Sequence, residues 1–218
     1  MLSFTEENYL KAVLKLTVNG DTKNDAGTNK LAAYLNVKPA TATDMLKKLK
    51  EKKLIDYEKY GKISLSETGK IKAVEILRKH RLWETFLFQK LDFTWDEVHE
   101  VAEQLEHIHS PKLIDKLDEF LGFPAFDPHG DAIPNAKGEL RIGEQIPLST
   151  KLLNTKCKIV GVKDNSTTFL KYVTQLGLAI NMHIEVLSRQ DFDGSMEIRV
   201  NGTTATVSHK FAENIWVD

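Results

Sequence analysis

The stretch KPATATDMLKKLKEKKLIDYEKYGKISLSE, residues 38–67, sets the architecture of the N-terminal part of the chain. Pro39 suits the first turn of a helix, and apolar residues spaced along one side extend that helix to about residue 53. Two segments follow, LIDYEK and KISLSE, in which apolar and polar residues alternate on either side of a turn at Tyr60–Gly61. This pattern predicts a β-hairpin directly after the helix.

Two further helices are predicted before this stretch. Thr5 is a candidate N-cap for a first helix that carries its apolar residues on one side. A short helix is expected around Lys30–Leu35, after the turn-rich segment 18–29. Helix, helix, turn, helix and hairpin is the order of a winged helix-turn-helix, whose third helix lies in the DNA major groove.

Charge is unevenly spread along the chain. Residues 1–72 hold 14 lysines, no arginine and nine acidic residues, a net charge of +5 against −6 for the remainder. A basic head on an acidic body indicates that the head meets a polyanion. A lysine-rich solvated surface explains the same charge, and this alternative stays open at this point.

Composition bounds the class of protein. The 218 residues are 41% hydrophobic and 28% charged, the mix of an ordinary folded soluble protein. No apolar run approaches the roughly 20 residues of a membrane helix, and the start MLSFTEENYL lacks the features of a signal peptide. The single cysteine, Cys157, excludes an internal disulfide and favours a reducing, cytoplasmic location.

Beyond the hairpin, the predicted secondary structure changes twice, first to long helices and then to short strands. Helices are expected over residues 66–91, 94–108 and 110–121, the second opened by a capping box of Thr94 and Glu97. The proline-rich loop GFPAFDPHGDAIPN, residues 122–135, is a candidate domain edge. From about residue 143, short strands rich in Val and Ile surround one helix and predict a small β-barrel.

The segment HEVAEQLEHIHSP, residues 99–111, is a candidate metal site. If it is helical, one stripe beside the apolar side carries four polar residues: His99, Glu103, Glu106 and His107. Burying such groups is costly unless something compensates them, and a divalent cation would do so. Glu100 and His109 point elsewhere and are expected at the surface.

Two further groups support this interpretation. His80 and Glu84 are spaced i, i+4 on the preceding helix, and Asp127 and His129 flank a proline in the loop. Each group alone is more often a surface pair or an ordinary Asp-Pro turn. Imidazole and carboxylate without thiolate favour Mn(II), Fe(II), Co(II) or Zn(II) over Cu(I).

The segments HRLWETFLFQKLDFTWDEVHEVAEQLEHI, residues 80–108, and GFPAFDPHGDAIP closely resemble the diphtheria toxin repressor and manganese transport regulator family. The family consists of metal-activated, dimeric DNA-binding repressors of metal-uptake genes. The resemblance covers the whole chain and implies a mainly α fold with small β parts. It implies a winged helix-turn-helix at 1–72, a helical metal-binding and dimerisation domain at 73–142, and an SH3-like (FeoA-like) β-barrel at 143–218.

The resemblance also implies which residues hold metal. One site would use Asn8, Glu103, Glu106 and His107, and another group of family ligands matches His80, Glu84 and His99. The loop residues would join Glu84 and an acid from the SH3-like domain, and the ligands implied there are Asp127, His129 and Asp164.

Two departures from the family pattern bear on the choice of metal. Asn8 stands where the family usually has Met or Asp, so this ligand adds no charge, and Glu103 stands where iron-sensing relatives have Cys. Oxygen in place of sulfur shifts the preference towards manganese. The expected cofactor is therefore Mn(II), then Fe(II), with Zn(II), Co(II) or Cd(II) as substitutes in vitro.

The third helix and the hairpin supply the expected DNA contacts. Base edges would be met at the N-terminal end of the helix by Lys38, Ala40, Thr41, Thr43 and Asp44. Phosphates would be met by Lys47, Lys48 and the wing residues Lys59 and Lys62. Because this part of the chain has no arginine, sequence readout is expected to rest partly on DNA shape.

A mechanism follows from the position of Asn8 on the first helix of the head. A metal that joins it to ligands of the body would fix the head, and hence the spacing of two recognition helices on operator DNA in a homodimer. Three alternatives stay open: an iron-dependent repressor, a di-metal hydrolase and a sensor of an organic ligand. HEVAE is not the HExxH of zinc proteases, and no nucleophile stands apart from the ligands, so neither an enzyme nor an organic substrate is expected.

Overall fold

The computed structural model describes residues 2–18, 27–57, 62–140 and 145–218. Several predicted features lie outside the described residues: the turn at Tyr60–Gly61, Lys59, most of the turn-rich segment 18–29 and the domain boundary at 142/143. The chain divides into two compact units. Unit 1 comprises Met1–His80, Gln104–Pro111 and Pro134–Glu139, and unit 2 comprises Arg81–Glu103, Lys112–Ile133 and Leu140–Asp218.

Unit 1 contains the predicted order of three helices and a hairpin. Its helices are α1 (Phe4–Val18), α2 (Thr28–Tyr34) and α3 (Pro39–Glu51), and its antiparallel strands are β1 (Ile55–Tyr57) and β2 (Ile63–Leu65). The long helix α4 (Glu67–Lys90) begins here. This order confirms the winged helix-turn-helix.

The core of unit 1 fixes α3 against its neighbours. Leu10, Leu31, Leu46 and Leu49 are fully buried, and each such side chain stabilises the fold by roughly 1.5–3 kcal/mol. At the start of α4, a Cβ on Gly69 would lie 1.8 Å from the carbonyl oxygen of Leu54, so only glycine fits there.

The start of α1 differs from the prediction by two residues. The cap is Ser3 rather than Thr5, because Ser3 N donates to Glu6 Oε2 at 2.9 Å and Glu6 N donates to Ser3 Oγ at 3.3 Å. Such a reciprocal capping box requires an acid three residues after the cap, and Thr5 is not followed by one.

Unit 2 holds the end of α4, most of α5 (Val98–Leu105) and most of α6 (Pro111–Phe120). Half of the predicted capping box is present: Thr94 N donates to Glu97 Oε2 at 2.9 Å, but Glu97 N donates to the carbonyl of Thr94 rather than to its hydroxyl. The residues between them form a turn, so α5 begins at Val98 rather than at residue 94.

The C-terminal part of unit 2 is a six-stranded antiparallel sheet in the order β3-β8-β4-β5-β6-β7. Its strands are β3 (Ile146–Pro147), β4 (Lys156–Val162), β5 (His183–Arg189), β6 (Met196–Val200), β7 (Thr203–Val207) and β8 (Ile215–Val217). The predicted helix is α7 (Thr167–Gln175), and a second short helix, α8 (His209–Glu213), was not predicted. The helical N-terminal part and the SH3-like sheet confirm the predicted fold class. Within the described ranges, no helix is long and apolar enough to cross a membrane.

Candidate metal centres

Glu84, Asp127 and His129 form a buried cluster in unit 2. Their exposed fractions are 2%, 5% and 2%, and one ligand atom from each lies within 4.8 Å of the others. Two acids and one imidazole without solvent are unfavourable by themselves. The donor set and its spacing fit a hard or borderline divalent cation.

The ring of His129 is held in one orientation. Its Nε2 lies 2.7 Å from the backbone carbonyl oxygen of Trp95, and since a carbonyl only accepts, Nε2 carries the proton. The indole of Trp95 stacks on the imidazole, with centroids 6.4 Å apart. His129 Nδ1 faces Glu84 Oε2 at 3.9 Å. A carbonyl that fixes the tautomer of a histidine is a common feature of metal-ligating imidazoles.

The loop that carries Asp127 and His129 is itself fixed. Asp127 Oδ1 accepts from the backbone N–H groups of His129 at 2.8 Å and Asp131 at 3.0 Å. The guanidinium of Arg81 lies 3.7 Å from Asp127 Oδ2 and donates to the carbonyl of Ala132. The two acidic ligands are therefore presented on a rigid turn and a helix.

Gly130 allows this loop to pack on strand β4. Its φ is +85°, and a Cβ there would lie 2.0 Å from the carbonyl oxygen of Val160. The carbonyl of His129 accepts from Val162 N at 2.9 Å. The glycine of the PHG motif is thus needed for both its backbone conformation and its close approach to the sheet.

The electrostatics of the cluster favour extra protons when no cation is bound. Burial, together with the charges of Glu84 and Asp131, raises the pKa of Asp127 well above its ordinary value. Burial lowers the pKa of His129, but the nearby negative charges of Glu84 and Asp127 outweigh it and raise that pKa to about 9. A cation would replace these protons and balance the carboxylates.

Glu84 lies between two histidines of unit 2. Its Oε1 is 3.1 Å from His99 Nδ1, and its Oε2 is 3.9 Å from His129 Nδ1. His99 Nε2 is 3.5 Å from Glu103 Oε1, and the side chains of His99 and Glu103 are 40% and 33% exposed. The predicted ligands of unit 2 therefore continue from the buried cluster towards solvent.

Asp164 is not part of this cluster. Its carboxylate accepts from Ser166 N at 2.9 Å, just before α7, and no cluster among the described residues contains it. The structure thus gathers Glu84, Asp127 and His129 and leaves Asp164 in a local turn.

Unit 1 holds a second buried group of polar side chains, centred on Glu106, which is fully buried. Lys11 Nζ lies 2.7 Å from Glu106 Oε1 and 2.6 Å from Oε2. His80 Nδ1 lies 2.6 Å from Oε2, so the structure pairs His80 with Glu106. Glu106 is therefore already balanced by an internal cation.

His107 is positioned next to this carboxylate. Its Nδ1 lies 2.6 Å from Glu7 Oε2, its ring stacks on Phe4, and its Nε2 lies 3.9 Å from Glu106 Oε1. Asn8 Oδ1 is buried and has no hydrogen-bond partner. An orphaned amide oxygen fits a cation ligand, and an oriented imidazole beside a carboxylate fits the same role.

Sequence reasoning missed four residues that shape these centres: Glu7, Lys11, Arg81 and Trp95. Glu7 and Lys11 follow a helical stripe with the buried Leu14, a signal that buried polar groups occupy α1. Trp95 holds His129 partly through its backbone carbonyl, and a backbone contact leaves no trace in residue type.

The predicted DNA-reading side chains lie on the outer face of α3. Lys38, Ala40, Thr41, Asp44, Lys47, Lys48 and, on the hairpin, Lys62 are exposed. Thr43 is half-buried, and its Oγ1 donates to the carbonyl of Pro39 at 2.9 Å. Asp44 pairs with Lys47 at 3.1 Å. On α3, the exposed side chains stand apart from the buried Ala42, Leu46 and Leu49.

Three family profiles match the chain. They are described as an iron dependent repressor N-terminal DNA binding domain at residues 1–63, an iron dependent repressor metal binding and dimerisation domain at 66–135, and a FeoA domain at 146–218. Together they cover nearly all of the chain.

Solved and curated relatives include metal-dependent repressors. A manganese-dependent transcriptional repressor in complex with manganese is 32% identical, with a TM-score of 0.85 over 97% of this chain and 98% of that chain. The iron-dependent repressor IdeR of Mycobacterium tuberculosis is 29% identical over 141 residues, 65% of this chain and 60% of its own length. A probable metal transport system membrane protein of Chlamydia trachomatis is 42% identical over 71 residues, 33% of this chain, and the match spans only 16% of its length.

Proposed function

The chain belongs to the diphtheria toxin repressor and manganese transport regulator family, and we propose that it is a metal-dependent DNA-binding repressor of metal-ion uptake genes, activated by Mn(II). The proposal combines a winged helix-turn-helix with a buried cluster of metal-ligating groups. The single observation that carries it is the burial of Glu84, Asp127 and His129 with their ligand atoms within 4.8 Å.

Manganese is the first choice because every proposed ligand offers oxygen or imidazole nitrogen. The proposed ligands are Asn8, His80, Glu84, His99, Glu103, Glu106, His107, Asp127, His129 and Asp164. The runner-up is an Fe(II)-dependent repressor, since an iron-dependent repressor is among the relatives. Zn(II), Co(II) and Cd(II) accept the same donors and are expected to substitute in vitro.

In unit 1, the proposed ligands come from different parts of the chain. A divalent cation would bind a buried carboxylate, an imidazole and an unpaired amide oxygen together. Asn8 would hold it from α1, and Glu106 and His107 would hold it from the segment after α5. A cation bound by all three residues would link α1 to the segment after α5. Because α1 packs with α3, this link would favour one position of the winged helix over another, which is a population shift.

Operator DNA is the proposed partner of the outer face of α3. Ala40 and Thr41 are small enough for apolar contact with thymine methyl groups, and Lys47, Lys48, Lys59 and Lys62 would contact phosphates. We propose a homodimer, since two recognition helices meet two half-sites. The exposed apolar side chains Phe88 and Phe120 are candidates for its interface.

We propose three regions with separate roles: DNA binding at 1–72, metal binding and dimerisation at 73–142, and an SH3-like domain at 143–218. A repressor acts where the chromosome is, so the proposed location is the cytoplasm. The family and the solved neighbour are transcriptional repressors, not enzymes, which argues against a di-metal hydrolase.

The test is operator binding measured across Mn(II), Fe(II), Zn(II) and chelator. We expect tight binding with Mn(II), weaker or equal binding with Fe(II), and loss of binding with chelator. Equal binding with Mn(II) and with chelator would contradict the proposal. Binding that responds to an organic ligand but not to metal would support the sensor alternative.

A further inference from the structure

Lys11 binds the same two carboxylate oxygens of Glu106 that would be needed to bind a cation. Its ammonium contacts both carboxylate oxygens, at 2.7 and 2.6 Å, and its exposed fraction is 5%. A buried lysine is rare unless it is paired, and here the pair joins α1 to the segment after α5 within unit 1. The Lys11–Glu106 ion pair is therefore part of the buried interior of unit 1 and not a surface salt bridge.

The remaining neighbours of Glu106 are arranged as a ligand set. His107 Nε2 faces Glu106 Oε1 at 3.9 Å, and Glu7 holds the opposite ring nitrogen at 2.6 Å. Asn8, three residues before Lys11 and on the same face of α1, has a buried Oδ1 with no partner. The carboxylate of Glu106 can therefore pair either with the ammonium of Lys11 or with a cation that His107 and Asn8 also bind.

We propose that Lys11 is an internal competitor for metal at Glu106 and that it sets the affinity of this site. The inference rests on the proposed role of Glu106 as a metal ligand. The ammonium of Lys11 takes up both oxygens of Glu106 and would repel a divalent cation at short range, so we infer that such a cation binds Glu106 as the ammonium withdraws. The ion pair stabilises the metal-free state and weakens metal binding by the same free energy.

The surroundings allow Lys11 to be replaced. His80 Nδ1 lies 2.6 Å from Glu106 Oε2, and Lys79 interacts with the charge of this carboxylate. Burial lowers the pKa of Lys79, and the charges of Glu7 and Glu106 oppose that shift. Glu106 therefore keeps partial compensation in the Lys11→Met variant, whose new side chain has a similar apolar stem.

The experiment is Mn(II) titration of the full-length, metal-free protein, with free Mn(II) read by electron paramagnetic resonance. We expect Lys11→Met to bind the Glu106-dependent Mn(II) about tenfold or more tightly than wild type. The matched control is Lys52→Met, because Lys52 contacts both oxygens of Glu6 at 2.7 and 2.8 Å but is 45% exposed. This control should leave Mn(II) affinity unchanged.

Two further variants keep the test decisive. Glu106→Gln should remove one Mn(II) per chain; if the count does not change, the metal role of Glu106 and this inference both fail. If Glu106→Gln removes one Mn(II) but Lys11→Met does not bind it more tightly, only this inference fails. Should Lys11→Met not fold by circular dichroism, Lys11→Arg decides: it keeps a cation on Glu106, so tighter Mn(II) binding by this variant would overturn the inference.

Discussion

His129 has two ring nitrogens with separate roles. Nε2 donates to the carbonyl of Trp95, and Nδ1 faces Glu84. Because the raised pKa of His129 keeps a proton on Nδ1 in the metal-free protein, a cation would displace that proton and use the lone pair of Nδ1. The histidine is thereby suited to bind a cation and unsuited to act as a freely turning acid or base.

Replacing His129 by alanine should remove the only imidazole of the Glu84, Asp127 and His129 cluster. We expect at least about a tenfold decrease in Mn(II) affinity, the low end for removal of a ligand or its partner, and a parallel decrease in Mn(II)-dependent operator binding. His183→Ala is the matched control, since His183 is exposed on β5 of the same unit. Equal Mn(II) binding by the two variants would show that His129 is not a ligand.

The stability of the metal-free protein should fall as the pH rises. The folded state raises the pKa of His129 to about 9 from its ordinary 6.5, so its contribution is complete below pH 6.5 and disappears as the pH rises through 9. Asp127 acts in the same direction at lower pH, because its raised pKa favours the protonated acid in the folded state.

Urea unfolding in chelator at pH 6, 7.5 and 9 measures this effect as the difference between wild type and His129→Gln. We expect the stability of wild type relative to this variant to decrease steadily over the range. Mn(II) should stabilise wild type most at pH 9, where the protons that it replaces have already dissociated. A difference that is constant or grows with pH would contradict the assignment.

Among the helices and strands, the order along the chain was predictable and several boundaries were not. Periodicity located α1 to α4, α6, α7 and the strands β4 to β7, because each has a clear apolar side. No comparable signal marks β3 (Ile146–Pro147), β8 (Ile215–Val217) or α8 (His209–Glu213), because two to five residues are too short to show a period.

The sequence predicted which residues belong to the candidate sites, but not which of their side chains contact one another. All three members of the buried cluster in unit 2 were predicted from spacing and resemblance. The pairing of His80 with Glu106, and the contact of Lys11 with the same carboxylate, were not predicted, because these side chains come from three segments far apart in sequence. Local patterns indicate which face of a helix is buried, not what it meets.

The PHG loop is the element whose packing holds His129 in place. Gly130→Ala should destabilise the protein by at least about 2 kcal/mol, for two reasons. The new Cβ would lie 2.0 Å from the carbonyl oxygen of Val160, and a φ of +85° is strained for any residue with a side chain. Gly177→Ala is the control, since Gly177 has φ +70° and no atom within 4 Å of an added Cβ.

Gly177→Ala should cost about 1 kcal/mol, the strain alone. Chemical denaturation gives both values, and Mn(II) titration should show weaker binding for Gly130→Ala only. If the two alanine variants are destabilised equally, the close approach of the loop to β4 is not what requires glycine.

Over the full length of the chain, charge is divided between a basic N-terminal part and an acidic remainder. The basic residues 1–72 carry a net charge of +5, and the remainder carries −6. Lysines on the outer face of α3 thus stand out against an acidic background. Long-range attraction to DNA is expected to orient the head first.

Replacing Lys48 should weaken binding to every DNA sequence by a similar factor, because an interaction with phosphate carries no sequence information. We expect Lys48→Ala to reduce the slope of log K against log [salt] by about one for each phosphate that Lys48 neutralises, without changing the ratio between operator and random DNA. Lys116→Ala is the control, an exposed lysine of α6 that pairs with Glu119 at 2.6 Å. Fluorescence anisotropy at several salt concentrations in saturating Mn(II) measures both slopes. A reduced preference for the operator with an unchanged slope would instead place Lys48 on a base edge.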